Sequence, residues 1–239
     1  ELWFRGVTNK NYSLTPGFVR ANIKINIETT SVLDFINCYQ NYHPKVENPW
    51  ELYSLMQHYG FPTRLLDWST SMIIALYFAL DGEPSKDEQG KEIERVVWAM
   101  KTGEINRFNI MNRRTLPTAL GRGTRAEKYL PIPLRLTDDH ENEFESNPLA
   151  FRVPLSNRRI NAQKGCFTIH GSNNEGIEKV MVDNGIGSDI YKFIFNETTA
   201  SKMRSYLHRM QINEDDIYQD LNSLSRRIIR SRMTPRKSN

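Results

Sequence analysis

The densest set of reactive side chains is Gln57-His58-Tyr59-Gly60-Phe61-Pro62-Thr63-Arg64-Leu65-Leu66-Asp67-Trp68-Ser69-Thr70-Ser71, which brings His, Tyr, Arg, Asp, Ser and Thr together within 15 residues. A strand that ends in Ser-Thr-Ser ahead of a helix presents hydroxyls and free backbone N–H groups, and such an end holds polar or anionic ligands. The same hydroxyls are ordinary helix N-caps. Asp67 can equally serve as an ion-pair partner for Arg64 or Arg5, and His58 as a satisfied histidine with no chemistry. A second stretch, Trp3-Phe4-Arg5-Gly6, sets a cation between aromatic residues at a strand. The planar guanidinium suits phosphate or carboxylate, as a ligand contact or as a structural salt bridge. A third, Arg158-Arg159-Ile160-Asn161-Ala162-Gln163-Lys164-Gly165-Cys166-Phe167, places the Gln163 carboxamide just before a strand. There it can hydrogen-bond a ribose or base, or close a turn. Gly165 permits close backbone approach.

These residues need elements to position them. Leu2–Val7 reads as an early strand ending in a tight turn, and Thr30–Tyr42 carries a helical stripe of Val32, Leu33, Phe35, Ile36 and Tyr39. Asn48 and Pro49 read as the N-cap and first turn of a helix that stops near Gly60. Phe61-Pro62 forces an extended stretch, so Thr63–Trp68 reads as a strand and the Ala- and Leu-rich Ser71–Leu80 as a buried helix. Gly82–Glu94 reads as a surface loop, Thr102–Gly123 as irregular, and Arg95–Met100, Ala150–Val153, Gly165–Ile169 and Ile190–Phe195 as strands. Gly171–Asn174 reads as a turn. Thr198–Met210 and Asp215–Ile229 read as two amphipathic helices, with a capping start at Asn213. The sum is a single α+β domain over 1–239, with 199–239 a basic helical extension.

The 239 residues, 38% hydrophobic and 25% charged, can bury a core and exclude a long disordered chain. The longest apolar run, Met72–Leu80, is nine residues; a bilayer span needs about 20, so no membrane partner is expected. Two cysteines 128 positions apart form no disulfide framework, and a reduced, cytoplasmic compartment is expected. The sequence opens on Glu1 without a signal-peptide pattern, and targeting is not read from it. Charge is uneven: residues 199–239 hold nine Lys/Arg against four Asp/Glu, whereas the rest holds 23 against 24. Arg226, Arg227, Arg230 and Arg232 in that segment can meet nucleic-acid phosphate, or form a solvated helix end that suits the helix dipole. Gly121-Arg-Gly123-Thr-Arg-Ala126 has the letters of a dinucleotide fingerprint but follows a poor strand. No phosphate-binding P-loop, nucleophile elbow or zinc-spaced Cys/His set occurs, so no metal is expected. Cys166 reads as a small buried apolar residue.

Together these stretches resemble the FRG domain family, named for the Phe-Arg-Gly found here as Phe4-Arg5-Gly6 and followed by Tyr12-Ser-Leu-Thr-Pro16 and Arg20. The similarity continues through Gln57–Ser69, Ala75-Leu76-Tyr77-Phe78-Ala79, Arg159–Thr168 and Ile217–Leu221, although family members often have Pro where Gln219 stands.

The family's layout looks like the ADP-ribosyltransferase fold, which implies a split, mixed β-sheet with flanking helices and a C-terminal helical hairpin. It implies an NAD-dependent transferase acting on a macromolecule, RNA among the candidates. A toxin or antiviral effector with a neutralising antitoxin partner is the corresponding biology. By position, Arg5 (with Gly6) would hold the NAD pyrophosphate, and Ser69 and Thr70 the ribose. Tyr77 or Phe78 would line the nicotinamide slot, with Arg64 and Asp67 also at the NAD. The superfamily's catalytic Glu falls at Gln163, which is neutral and cannot act as a base. Gln163 would then orient ribose or acceptor, and His58, Asp67 or the acceptor would manage the proton. Glu127 and Glu175 are other carboxylates for that role. Two other function classes stay open. One is a non-catalytic nucleic-acid-binding module using the tail with Arg113, Arg114, Arg122 and Arg125. The other is a metal-independent nuclease using His58 and Asp67.

Overall fold

The computed structural model describes residues 1–109, 125–136, 145–153 and 158–233. Arg113, Arg114, Arg122, the Gly121–Gly123 stretch and most of the acidic run 138–145 lie outside them, as does the Arg125 side chain. The strands are β1 (Leu2–Val7), β2 (Leu65–Ser69), β3 (Arg95–Lys101), β4 (Leu149–Phe151), β5 (Gly165–Ile169) and β6 (Ile190–Phe195). The α-helices are α1 (Gly17–Arg20), α2 (Ile25–Cys38), α3 (Pro49–His58), α4 (Met72–Leu80), α5 (Thr102–Ile105), α6 (Arg158–Ala162), α7 (Ile177–Asp183), α8 (Glu197–Arg209), α9 (Glu214–Tyr218) and α10 (Leu221–Ile228).

The strands form one six-stranded sheet in the order β4-β5-β2-β1-β3-β6. Every neighbouring pair is antiparallel, so the expectation of a mixed sheet is corrected. Its seams are unequal. β1 and β3 pair over six residues, and β2 and β5 over five, whereas β1 and β2 meet at one pair, Phe4 with Ser69. Beyond that pair Arg5, Gly6 and Val7 diverge from Trp68, Asp67 and Leu66. The sheet is therefore two three-stranded halves joined at a single rung and open as a fork on one side.

Side-chain alternation gives the β4-β5-β2 half two buried faces, whereas edge strand β6 leaves Tyr191, Phe193 and Ile194 exposed. On one face Leu65, Leu149, Phe151, Phe167 and Ile169 pack under Trp50, Tyr53 and Met56 of α3 and Val32 of α2. On the opposite face Trp3, Leu66, Trp68, Val96, Trp98 and Met100 pack with Ile177 and Met181 of α7. α4 lies over Phe4 and Val97 through Ala75 and Ala79. Gly6 makes that packing possible, because a Cβ there would stand 1.7 Å from the Ala75 carbonyl oxygen and 2.5 Å from the Ala79 nitrogen. α4 is half-sided rather than wholly buried as its composition implied: Met72 and Ile73 are exposed.

Two arginines hold the C-terminal end of α4. Buried Arg95 of β3 donates to the carbonyls of Ala79 (2.9 Å), Asp81 (3.2 Å) and Gly82 (3.0 Å), and its Nε pairs with Glu197 at 2.8 Å. Arg204 of α8 donates to the Leu80 carbonyl at 3.0 Å. At the other end of α3, Asn48 accepts from the Trp50 N–H at 2.9 Å with Pro49 in the first turn, as local chemistry requires. α3 ends at His58, and two residues on Gly60 turns the chain with φ +86°.

The C-terminal hairpin expected as two helices is three. Gln219 adopts a left-handed conformation (φ 53°) and breaks Asp215–Ile229 into α9 and α10, after which Ile229–Met233 forms a π-helical turn. The Asn213 capping box is present, with Asp216 as its returning carboxylate. α6 and α7 occupy stretches that carried no helical period. Thr30–Tyr42 becomes α2, which begins five residues earlier, at Ile25, and ends in a 3-10 turn over Tyr39–Asn41.

Candidate functional site

The fork opens onto a cleft of about 680 Å³, within the ~300–1,000 Å³ typical of small-molecule sites. β1 brings Phe4, Arg5 and Gly6 to it, β2 brings Asp67 and Ser69, α3 brings Gln57 and His58, and α4 brings Phe78. Arg159, Ile160 and Gln163 close it from the segment before β5, Tyr12 and Ser13 from the loop after β1, and Arg20 from the end of α1.

Arg5 sits where the ladder fails. Its Nη1 donates to the Asp67 backbone carbonyl at 2.6 Å and lies 4.0 Å from the Asp67 carboxylate. The side chain thus takes the place of a missing sheet hydrogen bond while keeping 19% of its surface open to the cleft. Burial lowers its pKa, opposed by Asp67 and reinforced by Arg20, and an arginine remains charged throughout. Arg20 donates to the Thr15 carbonyl, and Arg159 lies 4.9 Å over the Tyr218 ring. Among the described lining residues there are three arginines and one carboxylate, Asp67. That balance favours an anionic ligand.

Asp67 is the only exposed residue of β2, whose other four are buried. Its Oδ1 accepts from Gln57 Nε2 at 2.6 Å, and the Thr63 hydroxyl donates to Gln57 Oε1. Ser69 is committed differently from the expectation. Its hydroxyl donates to the Gln163 carbonyl at 2.7 Å and accepts from the Ser71 N–H at 3.0 Å. It therefore fastens the end of β2 to the segment before β5 and opens α4. Thr70 donates its backbone N–H to the Lys164 carbonyl at 3.1 Å and does not line the cleft.

Gln163 follows α6 and precedes Lys164, which turns the chain in the left-handed region (φ 47°). The Gln163 backbone is bonded on both sides, to Arg159 and to Ser69. Its side-chain Nε2 is buried with no hydrogen-bond partner. A buried amide donor left unsatisfied costs about 1–3 kcal/mol, a deficit Gln163 shares with the indole nitrogens of Trp3, Trp50 and Trp98. Two residues on, a Cβ at Gly165 would stand 3.1 Å from the Ile160 side chain and 3.3 Å from its carbonyl oxygen, a tight fit against α6.

Other expectations are corrected. Arg64 is 1% exposed and outside the cleft. It pairs with buried Glu28 through Nη2 and, at 3.0 Å, through Nε, while Tyr53 donates to the same carboxylate at 2.9 Å. Its role is structural. Tyr77 faces α8 and Tyr218 instead of the cleft; Phe78 is the member of that pair that lines it. His58 lines the cleft, and burial, then Arg159, lower its pKa, so the imidazole is neutral near neutral pH. Cys166 lines the floor as an inert thiol, its pKa raised by burial. Glu127 is buried and accepts from the Leu136 N–H, and Glu175 pairs with Lys179; neither lines the cleft.

In the tail, Arg226 pairs with Glu214, Arg227 with Asp215 (2.5 and 3.0 Å), and Arg230 with Glu214 (3.6 Å). The acids of α9 thus offset most of the basic face expected to meet nucleic acid, leaving Arg232 without an ion pair among the described residues. Sequence reasoning did not single out Tyr218, whose ring stands 6.0 Å from Phe78 and against Arg159 at the cleft rim. It also left Gln57, Arg20 and Arg159 unassigned. Arg159 lies in α6, four residues before Gln163, on a helix that the sequence pattern does not announce.

No helix of the described residues is long and apolar enough to cross a membrane, and no cluster of metal-ligating side chains occurs among them. Searches of curated proteins and of solved structures find no match. Residues 1–88, which carry β1, α3, β2 and α4 with most of the cleft, match the family model of the FRG domain.

Proposed function

We propose that the cleft binds NAD and that the chain transfers ADP-ribose from it to a macromolecular acceptor. The observation that carries this reading is Arg5, held in the open fork between the sheet halves in a cleft where cations outnumber carboxylates. The residues present fit a dinucleotide. Arg5, Arg20 and Arg159 supply charge for a pyrophosphate. The unpartnered Nε2 of Gln163 supplies a donor for a ribose or carboxamide oxygen. Phe4, Phe78 and Phe167 supply flat apolar wall for a ring. Ser69 acts by fixing the Gln163 backbone, not by contacting ribose through its already committed hydroxyl.

The test is incubation with labelled NAD and a cell lysate separated into RNA, DNA and protein, with Arg5→Ala alongside. Label in one fraction, lost in the variant, is the expected result; a folded wild type that labels nothing overturns the reading. His58 and Asp67 line this same cleft, which keeps a nuclease as the second reading. Cleavage of nucleic acid in the same incubation without NAD distinguishes it.

A further inference from the structure

Resting on that reading, we infer that Asp67 is the catalytic carboxylate of the transfer, with Gln57 as its positioning residue. Among the described residues lining the cleft it is the one side chain that can take a proton as a carboxylate, and Gln163 cannot.

Its placement is not that of a structural ion pair. A charged residue in the middle of a strand whose other members are buried is 62% exposed, toward the cleft. Arg5, the cation beside it, gives its short bond to the Asp67 backbone carbonyl and stands 4.0 Å from the carboxylate. One carboxylate oxygen is fixed by Gln57, whose own carbonyl oxygen is held by Thr63. The other oxygen accepts no hydrogen bond among the described residues. An amide fixed at its far end sets the carboxylate's orientation while leaving one oxygen for chemistry.

The bond between the nicotinamide nitrogen and the ribose C1 breaks, and its electron pair leaves with nicotinamide. The acceptor's oxygen or nitrogen forms the new bond to that carbon. The proton the acceptor loses passes to the free oxygen of Asp67 and then to water. No oxidant or reductant is needed.

The test uses the full chain. Asp67→Asn preserves shape and the acceptor for Gln57. It is expected to bind NAD within about threefold of wild type by calorimetry, to unfold at the same temperature, and to lose about 100-fold or more in kcat, the range of general-base removal. Asp67→Ala is expected to recover activity with added formate, which supplies the missing carboxylate. Gln57→Leu is expected to lower kcat with little change in NAD affinity. A wild-type kcat in Asp67→Asn, or no formate rescue in a folded Asp67→Ala that binds NAD, overturns the assignment of Asp67 and leaves the transferase reading standing. A wild type that neither binds nor consumes NAD overturns both.

Discussion

Replacing Arg64 with Met tests whether this arginine belongs to the core or to the cleft. Arg64 and Glu28 are 2% and 1% exposed at their side chains, and Tyr53 completes the set by donating to Glu28 and accepting from the Arg64 N–H at 2.8 Å. The guanidinium also lies 4.8 Å over the Phe18 ring, which ties α1 to the residue just ahead of β2. Arg64→Met leaves the Glu28 carboxylate buried without its cation. Breaking one side of such a pair costs about 3–5 kcal/mol. For a chain of this size, each kcal/mol moves the melting temperature by about 2–4 °C, so the expected drop is about 6–20 °C. The double variant Glu28→Gln/Arg64→Met removes the orphaned charge, keeps an acceptor for Tyr53, and should recover most of the loss. Urea unfolding followed by circular dichroism gives all the stabilities, and calorimetry gives the NAD affinity of the folded proteins. Two results refute the reasoning. One is a single variant within about 0.5 kcal/mol of wild type, the range of plain surface changes. The other is unchanged stability with lost NAD binding, which would return Arg64 to the site.

Gly6→Ala should shift α4 by about 1.3 Å or more, because its Cβ would stand 1.7 Å from a backbone oxygen where real contacts stay above 3.0 Å. The expected cost is about 1–3 kcal/mol or more, read as a lowered melting temperature together with weakened NAD binding as Phe78 moves. Gln163→Leu removes an unsatisfied buried donor, so unfolding without ligand should be unchanged or shifted upward by about 1–3 kcal/mol, while NAD affinity falls. Buried His170 has its pKa lowered from 6.5 to about 4, chiefly by desolvation. The unfolded chain then takes the proton first, so this contribution is fully present above pH 6.5 and is lost as pH falls toward and through about 4. It amounts to about 3 kcal/mol at 1.36 kcal/mol per unit. His170→Gln should flatten that slope in urea titrations at pH 7 and pH 4.5, and parallel curves would show that the imidazole is not the group responsible.

What the sequence made legible was local. Asn48 and Pro49 announce α3 because a cap and a first turn need only neighbouring residues. The Ser-Thr-Ser end of β2 marked the joint between strand and helix for the same reason. The fate of Arg64 was not legible, since its partner Glu28 lies 36 positions away and only the folded core brings them together. Tyr77 and Phe78 are adjacent, about 100° apart around a helix, and sequence alone does not say which faces the cleft. α6 and α7, of five and seven residues, are too short to show a period. The break at Gln219 has neither Gly nor Pro to announce it. Charge counting saw a basic tail, but the pairing of Arg226 and Arg227 with acids 12 positions earlier depends on how α9 and α10 fold back.

The single rung between Phe4 and Ser69 has a consequence for how occupancy and folding are linked. Where a continuous sheet would pair strand-edge amides and carbonyls with each other, here the Arg5 guanidinium reaches across to the Asp67 carbonyl beyond the one rung. Under the proposed reading, a polar ligand lodged there would act as a seventh structural member, clasping one half to the other. Its binding free energy would then also be cohesion between the halves. Amide protons along the divergent stretches of β1 and β2 should slow their exchange together when the cleft fills, as one cooperative unit rather than two.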